Sequence, residues 1–196
     1  PTAALKQEAL KYGSAEEFVN SYGEPVYHGT SKTRSQLIDK EGYRDNTFFS
    51  GKESNAKIYA GVFDKDAEIK NARVKLDKPI EVDVGRSYYT DLDPQSEILY
   101  PDGTSHTIQD LFGQETNLNG LKTEDVVYKL RSMNEGDGVV FRNILDPEED
   151  DVIVAFSKSS IKTDKQLTDL YNQAHTETKA PTPQAPQPEA PAQVQA

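Results

Sequence analysis

The chain contains no cysteine. That excludes a disulfide framework, a zinc–thiolate centre and a cysteine nucleophile together. Its 3 histidines, His28, His106 and His175, are too few for a multi-histidine metal centre, and no metal is expected. No apolar run approaches the ~20 residues that a membrane helix needs, so a membrane is not an expected partner. Positive charge is also short: 22 Lys and Arg against 33 Asp and Glu leave a formal net charge of −11. Nucleic-acid affinity rests on neutralising phosphates with basic side chains. A nucleic-acid partner is therefore disfavoured, although a local basic groove stays open. The opening Pro1–Lys6 lacks the apolar stretch of a signal peptide, and a chain starting at Pro1 is expected to be processed or cut from something longer.

The 196 residues, 35% of them hydrophobic, suffice for one ordinary domain with an appendage. The appendage is C-terminal. From Ala180 the sequence reads APTPQAPQPEAPAQVQA, holding five of the 11 prolines and almost no bulky apolar side chain. Such a stretch cannot bury enough surface to offset its ordering entropy, and residues 176–196 are expected to form a disordered tail or linker. At the other end, residues 1–24 read as two helical pieces. Ala4, Leu5, Ala9 and Leu10 lie on one stripe, and Ser14 with Glu17 resembles a capping box. Phe18, Val19 and Tyr22 then face a core, and Gly23 ends the helix. This segment is expected to pack on the sheet of the main domain, residues 25–175.

That domain reads as mixed α and β. Pro25–Gly29 and Thr47–Ser50 are short strands, and Ser54–Ala60 is a helix. Ala72–Leu76 and Ile80–Val84 alternate apolar and polar residues as half-buried strands do. Gly138–Phe141 and Val152–Phe156 are continuous apolar runs suited to central strands, and Gln166–Tyr171 is a closing helix. Residues 85–135 have another texture: Ile108–Phe112 and Asp125–Leu130 have helical spacing between turn-rich segments. They read as an inserted helical segment capping one edge of the sheet. The fold class is α+β.

Three places invite chemistry. In Tyr27-His28-Gly29-Thr30 a histidine ends a strand, and the glycine after it permits close approach to the backbone. His28 is suited to donate to a sugar hydroxyl, or to sit in the core satisfied by a carbonyl. Next, Phe48 and Phe49 on a strand precede a helix bearing Tyr59, whose ring suits a flat heteroaromatic ligand; plain core packing is the other reading. Last, Asp146–Asp151 is an acidic run abutting the strand that starts at Val152. Acidic runs are usually solvated loops, but a carboxylate at a cleft mouth can stabilise an oxocarbenium-like transition state.

Taken in this order, these segments resemble the ADP-ribosyltransferase domains of the His-Tyr-acid group, the branch of diphtheria toxin and the poly-ADP-ribose polymerases. The version embedded in the polyvalent proteins of phages and mobile elements is the most similar. The motifs concerned are Tyr27–Thr30, Phe48 through Tyr59, Asp137–Asn143 and Val154–Lys162. The resemblance spans about residues 24–163 and is least matched over 85–135. It implies a split β-sheet core and NAD as substrate, with no metal required.

The resemblance also implies roles. His28 contacts the adenosine ribose and the backbone of Gly29 bonds the nicotinamide carboxamide. Tyr59, eleven residues after Phe48, stacks on the nicotinamide ring. Thr30, Phe49 and Ser50 complete the NAD-binding set. Many relatives carry a carboxamide-binding serine where this chain has Ala56, which leaves Ser50 or Ser54 as substitutes. Relatives also place a catalytic glutamate at the position of Val152. The carboxylate here stands one residue earlier, at Asp151, with Asp150, Glu149 and Asp137 as alternatives, and a one-residue shift turns a strand side chain to the other face unless a bulge re-aims it.

The expected activity is ADP-ribose transfer from NAD to a host protein, in a virion or in bacterial cytoplasm. The competing readings are an NAD-binding module without catalysis, a transferase acting on nucleic acid, and a structural or adaptor domain.

Overall fold

A computed structural model describes residues 2–63, 66–114, 116–145 and 148–177. In chain order the elements are α1 (Thr2–Ala9), α2 (Ala15–Asn20), β1 (Pro25–Thr30), α3 (Lys32–Glu41), β2 (Thr47–Ser50), α4 (Glu53–Phe63), β3 (Glu68–Val74) and β4 (Pro79–Asp83). They continue with β5 (Glu97–Leu99), β6 (Ser105–Thr107), α5 (Ile108–Phe112), α6 (Thr123–Met133), β7 (Gly138–Leu145), β8 (Glu149–Ala155), β9 (Ile161–Lys162) and α7 (Asp164–Glu177). The chain is α+β. The proposed tail lies almost wholly outside the described residues.

The strands form one sheet in the order β6-β5-β4-β7-β8-β2-β1-β3-β9, antiparallel except for the parallel pair β4–β7. Its joints are uneven. β1 and β3 pair over six positions and β2 and β8 over four, whereas β1 and β2 meet only at Tyr27↔Ser50. The sheet is therefore split between β2 and β1.

Two cores serve the sheet, and β2 and β8 contribute to both. On the larger part Ile80, Val82, Val139, Phe141 and Val154 pack with Val126, Val127 and Leu130 of α6. The other core gathers Val26, Ile38, Tyr43, Phe49, Ala72, Ala155 and Ile161. Alternation along β2 sends Phe48 toward the first core and Phe49 into the second.

Four sequence expectations are corrected. Helices α1 and α2 pack on α7 rather than on the sheet, where Ala9, Phe18, Val19 and Tyr22 bury against Leu167 and Ala174. Ser14 does cap α2, accepting from the Glu17 N–H at 3.1 Å, but the Glu17 carboxylate reaches the Gly13 N–H at 2.9 Å instead of closing on Ser14. Residues 85–135 hold the two expected helices and also β5 and β6, which extend the sheet beyond β4. Finally, the acidic run is not all loop, because Glu149, Asp150 and Asp151 belong to β8.

Candidate active site

A cleft of about 350 Å³ opens where β1 and β2 part, within the range of roughly 300–1,000 Å³ typical of ligand sites. One wall is Tyr27, His28 and Gly29 of β1, another Phe48, Phe49 and Ser50 of β2, with Ala56 and Tyr59 contributed by α4. Ile144 and Val152 line it from β7 and β8, and Tyr89, Thr123 and Glu124 close it from the 85–135 segment.

Gly29 explains how α4 reaches this place. A Cβ built on Gly29 would lie 2.0 Å from the Ala56 carbonyl oxygen and 2.8 Å from the Ala60 nitrogen. Only a residue without a side chain lets the helix lie directly on the strand. The close approach anticipated from the sequence is thus made by α4 itself, and it brings Tyr59 over the cleft. The Tyr59 ring meets Tyr89 edge-on, with centroids 5.7 Å apart and planes at 72°.

His28 is fixed on three sides. Its Nδ1–H donates to the Phe48 carbonyl at 2.9 Å, since a carbonyl can only accept. Its ring lies 5.8 Å from Phe49 and 6.1 Å from Tyr43, the latter edge-on. Burial pushes the imidazole below its ordinary pKa; the bond to the Phe48 carbonyl opposes this, and the charge of Arg34 assists it. The ring is therefore neutral near pH 7, and its Nε2 is an acceptor. A sugar hydroxyl would donate to His28, the reverse of the sense expected from the sequence.

Ser50 is also engaged. Its hydroxyl bonds the Asp150 carboxylate and accepts from the Lys52 N–H at 3.1 Å. Asp150 further accepts from the Lys52 N–H and the Asn55 side-chain amide, each at 3.1 Å, and from the Asp151 N–H at 2.8 Å. This carboxylate secures the start of α4, where unsatisfied N–H groups favour an anion.

Residues 20–167 match the family described as ADP-ribosyltransferase in polyvalent proteins. The chain belongs to that family. A comparison with curated proteins and one with solved structures each find no match.

In this ADP-ribosyltransferase domain, the residues singled out from the sequence divide into two groups. His28, Gly29, Phe49, Ser50 and Tyr59 line one cleft; Thr30 and Asp151 do not. Thr30 is buried in the β1–β3 ladder opposite Glu68. Val152 faces the cleft, so the neighbouring Asp151 faces away from it.

There is a bulge, as the sequence reading allowed, but it lies in β7: Phe141 pairs with Val152 and Ile144 with Asp150, leaving Arg142 and Asn143 opposite Asp151. Asn143 adopts a left-handed φ of 60°. The Asp151 carboxylate is spent on this bulge, 2.6 Å from Arg142 Nη1 and accepting from the Asn143 N–H at 3.3 Å. Arg142 is shared with Glu81 at 3.2 Å.

The other acids named from the sequence are likewise outside the lining. Asp137 accepts from the Asp77 and Lys78 N–H groups at 2.7 and 3.0 Å, and Glu149 pairs with Arg86 at 3.3 Å. Ala56 presents a methyl group to the cleft; of the two substitutes, Ser50 lines it and the exposed Ser54 does not.

The sequence reading missed Tyr89, Thr123, Glu124 and Ile144. A tyrosine in a turn-rich segment and an acid in a helix's first turn carry no mark of a site. Among the described residues no group of three or more His, Asp and Glu side chains is gathered for a metal, and no helix is long and apolar enough to cross a membrane.

Proposed function

We propose that this domain transfers a single ADP-ribose from NAD to a host protein, releasing nicotinamide. The observation that carries the reading is the convergence of the His28 imidazole and the Tyr59 ring on one cleft at the split of the sheet. In this reading the nicotinamide stacks on Tyr59, and the backbone of Gly29 holds its carboxamide. A ribose hydroxyl of the adenosine half donates to His28 Nε2. Phe49 keeps the imidazole in place from behind, and Ser50 acts with Asp150 to hold the start of α4. The formal charge of −11 makes a protein a better acceptor than a nucleic acid. The family's setting in polyvalent proteins supports a phage effector that modifies a bacterial target.

The test uses labelled NAD with the purified chain and a bacterial lysate, followed by mass spectrometry for proteins carrying ADP-ribose. Stacking a heteroaromatic ring on an aromatic side chain contributes about 1–3 kcal/mol, so Tyr59→Ala is expected to weaken NAD binding roughly 5- to 150-fold. Wild-type affinity in that variant would refute the stacking role.

A second reading, an NAD-binding module without catalysis, is favoured by one observation: the β8 position facing the cleft is the apolar Val152, while Asp151 is turned to the bulge. Nicotinamide release by the purified chain separates the two.

A further inference from the structure

We propose that Glu124, in the first turn of α6, is the carboxylate that acts on the ribose during transfer. This rests on the transferase reading above.

A glycosidic bond to ribose breaks through a transition state with positive charge on C1′ and the ring oxygen, and an enzyme needs an anion placed against it. Four acids near β8 have been accounted for, and each is committed elsewhere: Asp137 to two backbone N–H groups, Glu149 to Arg86, Asp150 to the start of α4, and Asp151 to Arg142 and the bulge. Glu124 is the carboxylate among the residues lining the cleft.

Its position is tied to that of Tyr59 through a short chain of contacts. The Tyr59 ring packs against Tyr89 at 5.7 Å, the Tyr89 carbonyl accepts from the Thr123 N–H at 2.9 Å, and the buried Thr123 hydroxyl donates to Glu124 Oε2 at 3.2 Å. The first turn of α6 is further pinned by Asp125, whose carboxylate accepts from the Lys122 N–H at 3.1 Å. Thr123 thus orients one carboxylate oxygen and leaves Oε1 for the substrate.

The bond from C1′ to the nicotinamide nitrogen breaks, and its electron pair leaves with the nicotinamide, which entered as a cation and departs neutral. Glu124 offsets the charge on C1′. A lone pair of the acceptor closes on C1′, and the acceptor's proton passes to Glu124 and then to water. The carboxylate that the family resemblance assigns to the β8 strand is thus supplied by the segment that closes the cleft from above.

The experiment compares nicotinamide release and calorimetric NAD affinity in the wild-type chain, Glu124→Gln, Glu124→Asp, Asp125→Asn and Tyr59→Ala, with melting curves for each. Acid–base and electrostatic groups at the reacting bond are worth roughly 10²–10⁴-fold. Glu124→Gln is therefore expected to lose at least about 100-fold in release while binding NAD within about threefold of wild type. Glu124→Asp should recover part of the rate. Asp125→Asn, which keeps an oxygen acceptor for the Lys122 N–H and leaves the Glu124 carboxylate in place, should lose far less than Glu124→Gln. Release by Glu124→Gln at the wild-type rate would overturn the assignment and leave the transferase reading standing if Tyr59→Ala still loses NAD. NAD binding without release in the wild-type chain would overturn the assignment in favour of the binding module. No NAD binding at all would overturn both.

Discussion

His28 combines a local constraint with a consequence for pH. Its Nδ1–H is committed to the Phe48 carbonyl, and burial holds the ring below its ordinary pKa of about 6.5 in the folded state. The unfolded chain takes up the proton first as pH falls, so the group contributes stability that is present above about pH 6.5 and is lost as the pH drops toward the folded value. Melting temperature measured from pH 7.5 down to 5 is expected to fall, and His28→Gln should flatten that dependence. NAD affinity should weaken at still lower pH, where the folded ring itself takes up the proton and offers no acceptor. A slope unchanged in the variant would count against this account of the ring. The sequence showed a histidine before a glycine, but not which ring nitrogen would be spent. That depends on a carbonyl 20 residues away, supplied by the neighbouring strand.

Element by element, strands and helices with a clean apolar period were legible, and the polar ones were not. β2 spans Thr47–Ser50 and α5 spans Ile108–Phe112, as read from the sequence. Helix α3 shows no apolar period in the sequence, because Lys32–Glu41 is almost wholly polar; it buries little beyond Ser35 and Ile38. The apolar run of β7 ends at Phe141, before Arg142 and Asn143, yet the strand resumes beyond the bulge. The apolar pattern begins β8 only at Val152, because acids at a strand end look like loop until their partners are known. The partners of Asp150 lie 95 to 100 residues earlier in the chain. Its removal should be felt in α4. Asp150→Ala takes one of two acceptors from the Lys52 N–H, the Ser50 hydroxyl and the Asn55 amide, which keep Ser50 Oγ, the Lys52 carbonyl and the Glu148 carbonyl, a loss of about 1–2 kcal/mol by the measure of helix caps. Faster amide exchange confined to the first turn of α4 is expected; exchange spread evenly over the chain would refute the local account.

At the scale of the whole molecule, the N-terminal helices and α7 form a layer with its own core, sharing no residue with the cleft. The sequence revealed the apolar stripe of each helix but not its partner, since an amphipathic face does not say what covers it. Phe18 is fully buried in that layer. Phe18→Ala is expected to cost about 3–5 kcal/mol, a large share of a typical domain's ~5–15 kcal/mol. Below the lowered melting temperature, NAD affinity and turnover should match the wild type. Denaturant titration and calorimetry at 15 °C check the two halves of this expectation, and a variant crippled in affinity while still folded would show that the layer and the cleft are coupled.

The lone rung between Tyr27 and Ser50 gives the sheet a seam. Along the neighbouring ladders a gap would have to unzip several backbone bonds; here prising the mouth wider strains one rung and the side-chain bond from His28 to the Phe48 carbonyl. The compliance of the molecule is thereby concentrated at the doorway a dinucleotide would use, while the ladders on either flank hold His28 and Phe49 stiffly in their own halves.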